Sequence, residues 1–200
     1  MNNVNISLVG VGGQGVVSTG IILGNTVARK GINVVMSEIH GMAQRGGIVT
    51  VDLRIGDVYG PIIPEGKIDL IIGFEALETI RALKRASRKT RIIMNTERII
   101  PFTVNIGDEK YPDIEEIIKK FDIRNIIGID AVNIAKQTGN LQSVNMVLLG
   151  AAFATELLPI EEKDIEESIK IQFPEYSWES NIKAFRMGMD QYRILTKAYL

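Results

Sequence analysis

Asn5-Ile6-Ser7-Leu8-Val9-Gly10-Val11-Gly12-Gly13-Gln14-Gly15 is the stretch on which the fold turns. Val4, Ile6, Leu8 and Val9 form a short apolar run that reads as a β-strand. Gly10, Gly12, Gly13 and Gly15 follow, and beyond them Val16, Val17, Gly20, Ile21, Leu23, Gly24, Val27 and Ala28 keep helical spacing up to Lys30-Gly31. Strand, glycine-rich turn and helix together make the first half of a βαβ unit. Glycine admits positive φ and lets the backbone come close to a ligand or a neighbouring subunit. The bare amides that open the following helix, at its positive dipole end, suit an anion. Gly10, Gly12 and Gly15 also spell G-x-G-x-x-G, although a tight turn that binds nothing would use the same residues. A dinucleotide fingerprint wants an acid about 20 residues on, and Glu38 stands near that place.

Composition narrows the function. The 200 residues carry 46% hydrophobic and 24% charged side chains, ordinary for a globular protein, and suffice for one well-buried domain, expected here over 1–200. A net charge of −1 offers no basic field for nucleic acid or an anionic membrane. No apolar run reaches the ~18 residues of a membrane span, and the N-terminus lacks the basic start of a signal peptide, so a cytoplasmic protein is expected. With no cysteine there is no disulfide, no thiol nucleophile and no cysteine-ligated iron–sulfur cluster on this chain. His40 is the sole histidine, which excludes a multi-histidine metal site, and no G-x-S-x-G elbow accompanies it, so no metal is expected.

The remaining chain alternates strand and helix patterns. Ile32–Ser37 is a nearly continuous apolar run, expected to be a strand buried on both faces, and Glu38–Gly47 a glycine-punctuated loop. Ile48–Ile55 alternates strictly, with Thr50, Asp52 and Arg54 on a wet or contacting face. Strands are also expected over Asp69–Phe74, Arg91–Met94, Thr103–Ile106 and Asn125–Ile129. Helices are expected over Glu75–Ala86, with a solvated basic cluster of Arg81, Lys84, Arg85 and Arg88, over Pro112–Phe121, and over Ala131–Thr138 capped by Asp130. Ser143–Leu158 is apolar nearly all round and rich in small residues, so it is central or packed on another subunit. Two more helices, Glu161–Gln172 and Trp178–Leu200, close the chain. The pattern predicts an α/β fold, a three-layer α/β/α sandwich with a largely parallel (mixed) sheet and a Rossmann-like first βα unit.

Three blocks of residues resemble the gamma-type subunit, or domain, of 2-oxoacid:ferredoxin oxidoreductases. Gly10-Val11-Gly12-Gly13-Gln14-Gly15 matches that family's opening loop. Ser37-Glu38-Ile39-His40-Gly41-Met42-Ala43-Gln44-Arg45-Gly46-Gly47 is similar to the indolepyruvate branch almost residue for residue, where pyruvate and 2-oxoglutarate relatives tend to carry a Tyr-Gly-Pro-Glu version. Pro61-Ile62-Ile63-Pro64-Glu65-Gly66, with Asp69 and Gly73-Phe74-Glu75-Ala76-Leu77-Glu78, matches the third block. The resemblance covers about the first 85 residues; the C-terminal half agrees in general pattern.

The resemblance implies a subunit, inactive alone, of an enzyme that oxidatively decarboxylates indolepyruvate or another aryl 2-oxoacid to an acyl-CoA. It implies a larger partner subunit bearing thiamine diphosphate and Fe–S clusters, with ferredoxin as electron acceptor and coenzyme A as co-substrate. A homodimer is an arrangement left open to the isolated chain. Gly10, Gly12, Gly13, Gln14 and Gly15, with Gly46 and Gly47, are then the candidate cofactor-binding loops. They would hold amides near a coenzyme A phosphate, or permit close subunit packing; both remain open. His40 and Arg45 are the candidate catalytic residues of the active-site wall. The Arg45 guanidinium suits a carboxylate or phosphate, or a pairing with Glu38 that shapes the loop. His40, as an imidazole that can both donate and accept, suits a proton relay, or a loop bond to backbone. Tyr59 and Met42 read as packing residues. The alternatives are a pyruvate- or 2-oxoisovalerate-type gamma subunit, a nucleotide-binding scaffold without its own catalysis, and a nicotinamide dehydrogenase, for which 200 residues leave no substrate domain.

Overall fold

In the computed structural model the described residues are 3–41, 47–97 and 125–197. The strands are β1 (Val4–Val11), β2 (Val34–His40), β3 (Ile48–Ile55), β4 (Leu70–Gly73), β5 (Arg91–Asn95) and β6 (Ile126–Ile129). The helices are α1 (Val16–Arg29), α2 (Ala76–Ala82), α3 (Ala131–Gln137), α4 (Val144–Phe153), α5 (Glu162–Gln172) and α6 (Trp178–Lys197). The strands form one sheet in the order β2-β3-β1-β4-β5-β6. β1, β4, β5 and β6 run parallel, and β3 runs antiparallel to both β1 and β2.

Each face of the sheet has its own core. On one side Ile6, Leu8, Leu53, Leu70, Ile72 and Ile93 meet α1, α4 and the other C-terminal helices. On the other Val9, Ile71, Ile92 and Met94 pack beneath α2 and the Ile63–Ile68 connection. This is the expected three-layer mixed sandwich. Burial of this kind stabilises by roughly 25 cal/mol per Å² of apolar surface, which explains why the parallel strands read as unbroken apolar runs.

The most buried helix is α4. It starts near the glycine loop and ends beside the first residue of β5, where Arg91 donates to the Thr155 carbonyl. Its partner is α6. A β-carbon on Gly150 would lie 1.8 Å from the Phe185 carbonyl oxygen, and one on Gly188 would lie 2.0 Å from that of Val147. The small residues of this segment therefore serve an intramolecular crossing. Asp130 caps α3 by accepting from the Asn133 amide at 3.0 Å, and Glu161 and Asp164 form a reciprocal capping box on α5.

Several expectations need correction. The second strand runs Val34–His40, so Glu38, Ile39 and His40 belong to it rather than to a loop. It is half-exposed, not buried on both faces, because β3 inserts between it and β1 and leaves it at the rim. The helix expected over Glu75–Ala86 stops at Ala82, passes into a tighter turn over Leu83–Arg85, and uses Glu75 as its cap. Arg85 is only part-exposed: it pairs with buried Asp52 at 2.6 Å, and Ser7 donates to the same carboxylate at 2.7 Å. Tyr59 is exposed rather than packed. Thr103–Ile106, Pro112–Phe121, Met42, Arg45 and Gly46 lie outside the described residues.

Candidate functional site

β1 enters the sheet centre and ends at Val11, and the chain turns through Gly12, Gly13, Gln14 and Gly15 into α1. Gly13 has φ +97° and Gly15 has φ +80°, a region where a side chain strains the backbone. The hydrogen-bonded ladder of α1 begins with the Thr19 amide donating to Gly15 O at 2.9 Å. The amides before it, from Val16 to Ser18, are those a helix leaves without internal partners. No side chain caps them and no acid sits in that first turn.

β1 and β4 are adjacent and parallel, yet the chain leaves β1 toward β2 and leaves β4 toward β5. The glycine loop thus stands at the crevice where the connections diverge, the usual ligand position in open α/β sheets. Gln14 fixes it there. Its Oε1 accepts from the Val11 amide at 2.7 Å, and its Nε2 donates to Phe74 O at 3.2 Å, beyond the end of β4. Asn95, last residue of β5, donates to the same carbonyl at 3.3 Å. Gly10 leaves the room this needs, since a β-carbon there would lie 2.7 Å from Gln14 Oε1 and 2.8 Å from Phe74 Cβ. The Gln14 amide is therefore committed to main chain and shapes the loop.

The second glycine segment joins the first directly: Gly12 N donates to Gly47 O at 2.9 Å. β2 and β3 form a hairpin whose end is closed by Gly41 N donating to Ile48 O at 2.8 Å. This carries Gly41 and Gly47 to the same edge as Gly12. His40 stands at the end of β2, with Nε2 3.1 Å from the Glu38 carboxylate, and both side chains face outward. The geometry brings Gly10, Gly12, Gly13, Gln14, Gly15 and Gly47 together, with His40 at the rim.

Asn95 and Asn145 had no distinguishing signal in the sequence, and Glu75 stood in the third block of the resemblance without a role of its own. Glu75 is fully buried at the end of β4 and accepts from the Glu78 amide at 2.9 Å. Burial pushes the Glu78 carboxyl above its ordinary range, against the pull of Arg81 and with added repulsion from Glu75. Asn145 packs at Gly15 from the start of α4. A polar asparagine at a strand end or in a first helical turn looks in sequence like any other cap or turn residue.

A smaller pocket of about 350 Å³ lies further along this edge, lined by Thr96, Glu97, Asp130, Asn133 and Lys136. A cavity of about 790 Å³ lies at the opposite ends of the strands, against Arg88, Lys89, Arg91 and Tyr192, and shares no residue with the glycine loops. Among the described residues, no cluster of three or more His, Cys, Asp or Glu is placed to hold a metal ion. Among them too, no helix is long and apolar enough to cross a membrane.

Comparison with known proteins fits this geometry. The family model described as pyruvate ferredoxin/flavodoxin oxidoreductase matches residues 5–191. Indolepyruvate oxidoreductase subunit IorB of Methanothermobacter thermautotrophicus is 45% identical over 188 residues, covering 93% of this chain and 96% of that protein. Subunit IorB of Archaeoglobus fulgidus is 42% identical over 190 residues, 94% of each. Among solved structures, pyruvate oxidoreductase subunit PORC of Thermotoga maritima superposes with a TM-score of 0.74 at 22% identity, covering 95% of this chain and 97% of that one.

Proposed function

Since the chain belongs to the pyruvate ferredoxin/flavodoxin oxidoreductase family, we propose that it is the small, gamma-type subunit of an indolepyruvate-class oxidoreductase. The full-length likeness to IorB subunits, at 45% identity, carries this reading. The substrate is indolepyruvate or another aryl 2-oxoacid. It loses carbon dioxide, its carbonyl carbon gives up two electrons to two ferredoxins, and the acyl group passes to the thiol of coenzyme A.

Such chemistry calls on thiamine diphosphate as an electron sink and on iron–sulfur clusters for one-electron steps. This chain does not fit either group. Its 200 residues hold no cysteine to ligate a cluster and no Gly-Asp-Gly…Asn run for thiamine diphosphate. Both belong to a larger partner subunit, and residues 1–200 act as one gamma-type unit in the cytoplasm.

What this chain contributes is a wall of the active site. The amides of Gly13, Gly15 and the first turn of α1 receive an oxyanion of a substrate, and Gln14 and Gly10 hold that loop still. Gly47 brings the second glycine segment against it, and Gly46 beside it in sequence is part of the same proposed site. Arg45 supplies a guanidinium for a carboxylate or phosphate. His40, oriented by Glu38, is the titratable group at the rim.

The test is reconstitution. The purified chain and its large partner are mixed anaerobically with indolepyruvate, coenzyme A and thiamine diphosphate, and viologen reduction is followed. Reduction that requires both chains is the expected result, and a panel of 2-oxoacids then fixes the substrate. No reduction of the dye by a stable, cluster-loaded complex with any aryl 2-oxoacid would refute the proposal.

A further inference from the structure

We infer that the side-chain amide of Asn145 is a ligand-binding donor of the glycine-loop site, and that it takes an oxyanion of a substrate. The inference rests on the function proposed above. Asn145 is the second residue of α4 and is 6% exposed. Its Oδ1 accepts from the Met146 amide at 3.1 Å. Its Nδ2 donates to no group of the described chain, yet it is not sealed from solvent. That nitrogen faces the glycine loop, since a β-carbon on Gly15 would lie 2.7 Å from it.

Polar groups this deeply buried are almost always partnered. This donor has no acceptor in the described chain and opens on the glycine loop, so it can exchange water for an acceptor that a ligand supplies. The surroundings select the kind of acceptor. α1, of 14 residues, and α4, of 10, both begin here. Neither first turn carries an acid and neither cap residue bonds the turn with its side chain. Ser143, at the cap of α4, donates instead to Asn140 O at 2.6 Å. The positive ends of two helices, the unpaired amides of the first turn of α1 and the Asn145 amide nitrogen therefore meet at Gly15. All are donors, and an oxyanion is all acceptor. In this reaction the oxyanion is a phosphate of coenzyme A or the carboxylate of the 2-oxoacid.

The experiment uses the reconstituted complex with Asn145→Asp and Asn145→Ala. Asn145→Asp keeps the acceptor for Met146 and adds a first-turn acid, which the dipole of α4 favours. A purely structural role predicts an unchanged or higher melting temperature and normal kinetics for this variant. The ligand role predicts a KM raised roughly tenfold or more for one substrate, with the KM of the other and kcat changed within about twofold. A rise for coenzyme A identifies the phosphate, and a rise for the 2-oxoacid identifies the carboxylate. Asn145→Ala should raise the same KM by less, since it removes the donor without adding repulsion. Unchanged KM for both substrates in Asn145→Asp would overturn the inference. If the wild-type complex is inactive, the proposed function fails separately, and calorimetry with coenzyme A and with indolepyruvate decides this point. Binding by the wild-type complex that is lost in Asn145→Asp would support the donor role; equal binding by both, or none by the wild type, would overturn it.

Discussion

Replacing Gly188 by alanine sets two physical effects of opposite sign against each other. Helix propensity alone says that Gly→Ala in the interior of α6 stabilises by about 1 kcal/mol. The α4–α6 crossing says the reverse. The new methyl carbon would start 2.0 Å from Val147 O and 2.7 Å from its carbonyl carbon, whereas an ordinary C···O contact is about 3.3 Å or more. The obstructing atoms are backbone, so no rotamer change relieves them, and the helices must part by about 1 Å. Val147, Leu148, Ala184 and Phe185 are completely buried around the crossing, so separation loosens contacts on every side. Overpacking of this kind costs about 3 kcal/mol at the upper end of its range. Offset by the propensity gain, the net loss is about 2 kcal/mol. For a chain of this size that lowers the melting temperature by roughly 4–8 °C. Urea unfolding followed by circular dichroism should show a lower midpoint with an unchanged slope. Gly150→Ala should behave alike, and the double variant should lose less than the two added together, because one opening serves both methyls. A Gly188→Ala protein more stable than the parent would refute the close-approach argument.

Arg85→Ala leaves the Asp52 carboxylate buried, with Ser7 as its remaining partner in the Ser7–Asp52–Arg85 cluster; because Arg85 is itself part-exposed, the loss should be roughly 2–3 kcal/mol by urea titration. Glu78 binds its proton more tightly folded than unfolded, so its contribution to stability is fully present below its ordinary value of 4.5 and is lost as pH rises through its raised folded value. Glu78→Gln should therefore flatten the stability profile in that window, and a profile identical to the parent would refute the shift. Arg45→Ala should lower turnover of the assembled complex by about 2–4 kcal/mol of barrier while leaving co-purification with the partner intact; normal turnover would remove Arg45 from the site.

Much of this architecture was legible in the residues. The first βα unit and its glycine turn follow from Val4–Val11 and the helical spacing behind them, and the alternation of Ile48–Ile55 marks a strand with a polar face. Asp130 announced its helix by capping chemistry. The position of β2 was not legible, because an apolar run such as Val34-Val35-Met36 reads alike at a rim and in a sheet centre; strand order is set by which connection returns where. Arg85 looked solvated for a similar reason. Its local helix carries several basic residues, and the partner that buries it, Asp52, lies 33 residues away on another strand. At the site, the glycine loop and Gln14 stood out by composition, whereas Asn145 became visible once α4 was seen to start against Gly15.

The β2–β3 hairpin has a consequence for how specificity can change. Seven residue pairs, from Val34↔Ile55 to His40↔Val49, hold its two arms together, and β3 is in turn laddered to β1. The segment at its tip is thus anchored at both ends by backbone pairing that does not depend on which side chains the tip carries. Exchanging the tip for one of different sequence and similar length should leave the described strand pairing intact, since closing a slightly longer or shorter loop costs little. Swapping residues 41–47 for the corresponding segment of a pyruvate-class relative is accordingly a change of reading head on a fixed frame, and it should move substrate preference while the melting temperature stays put.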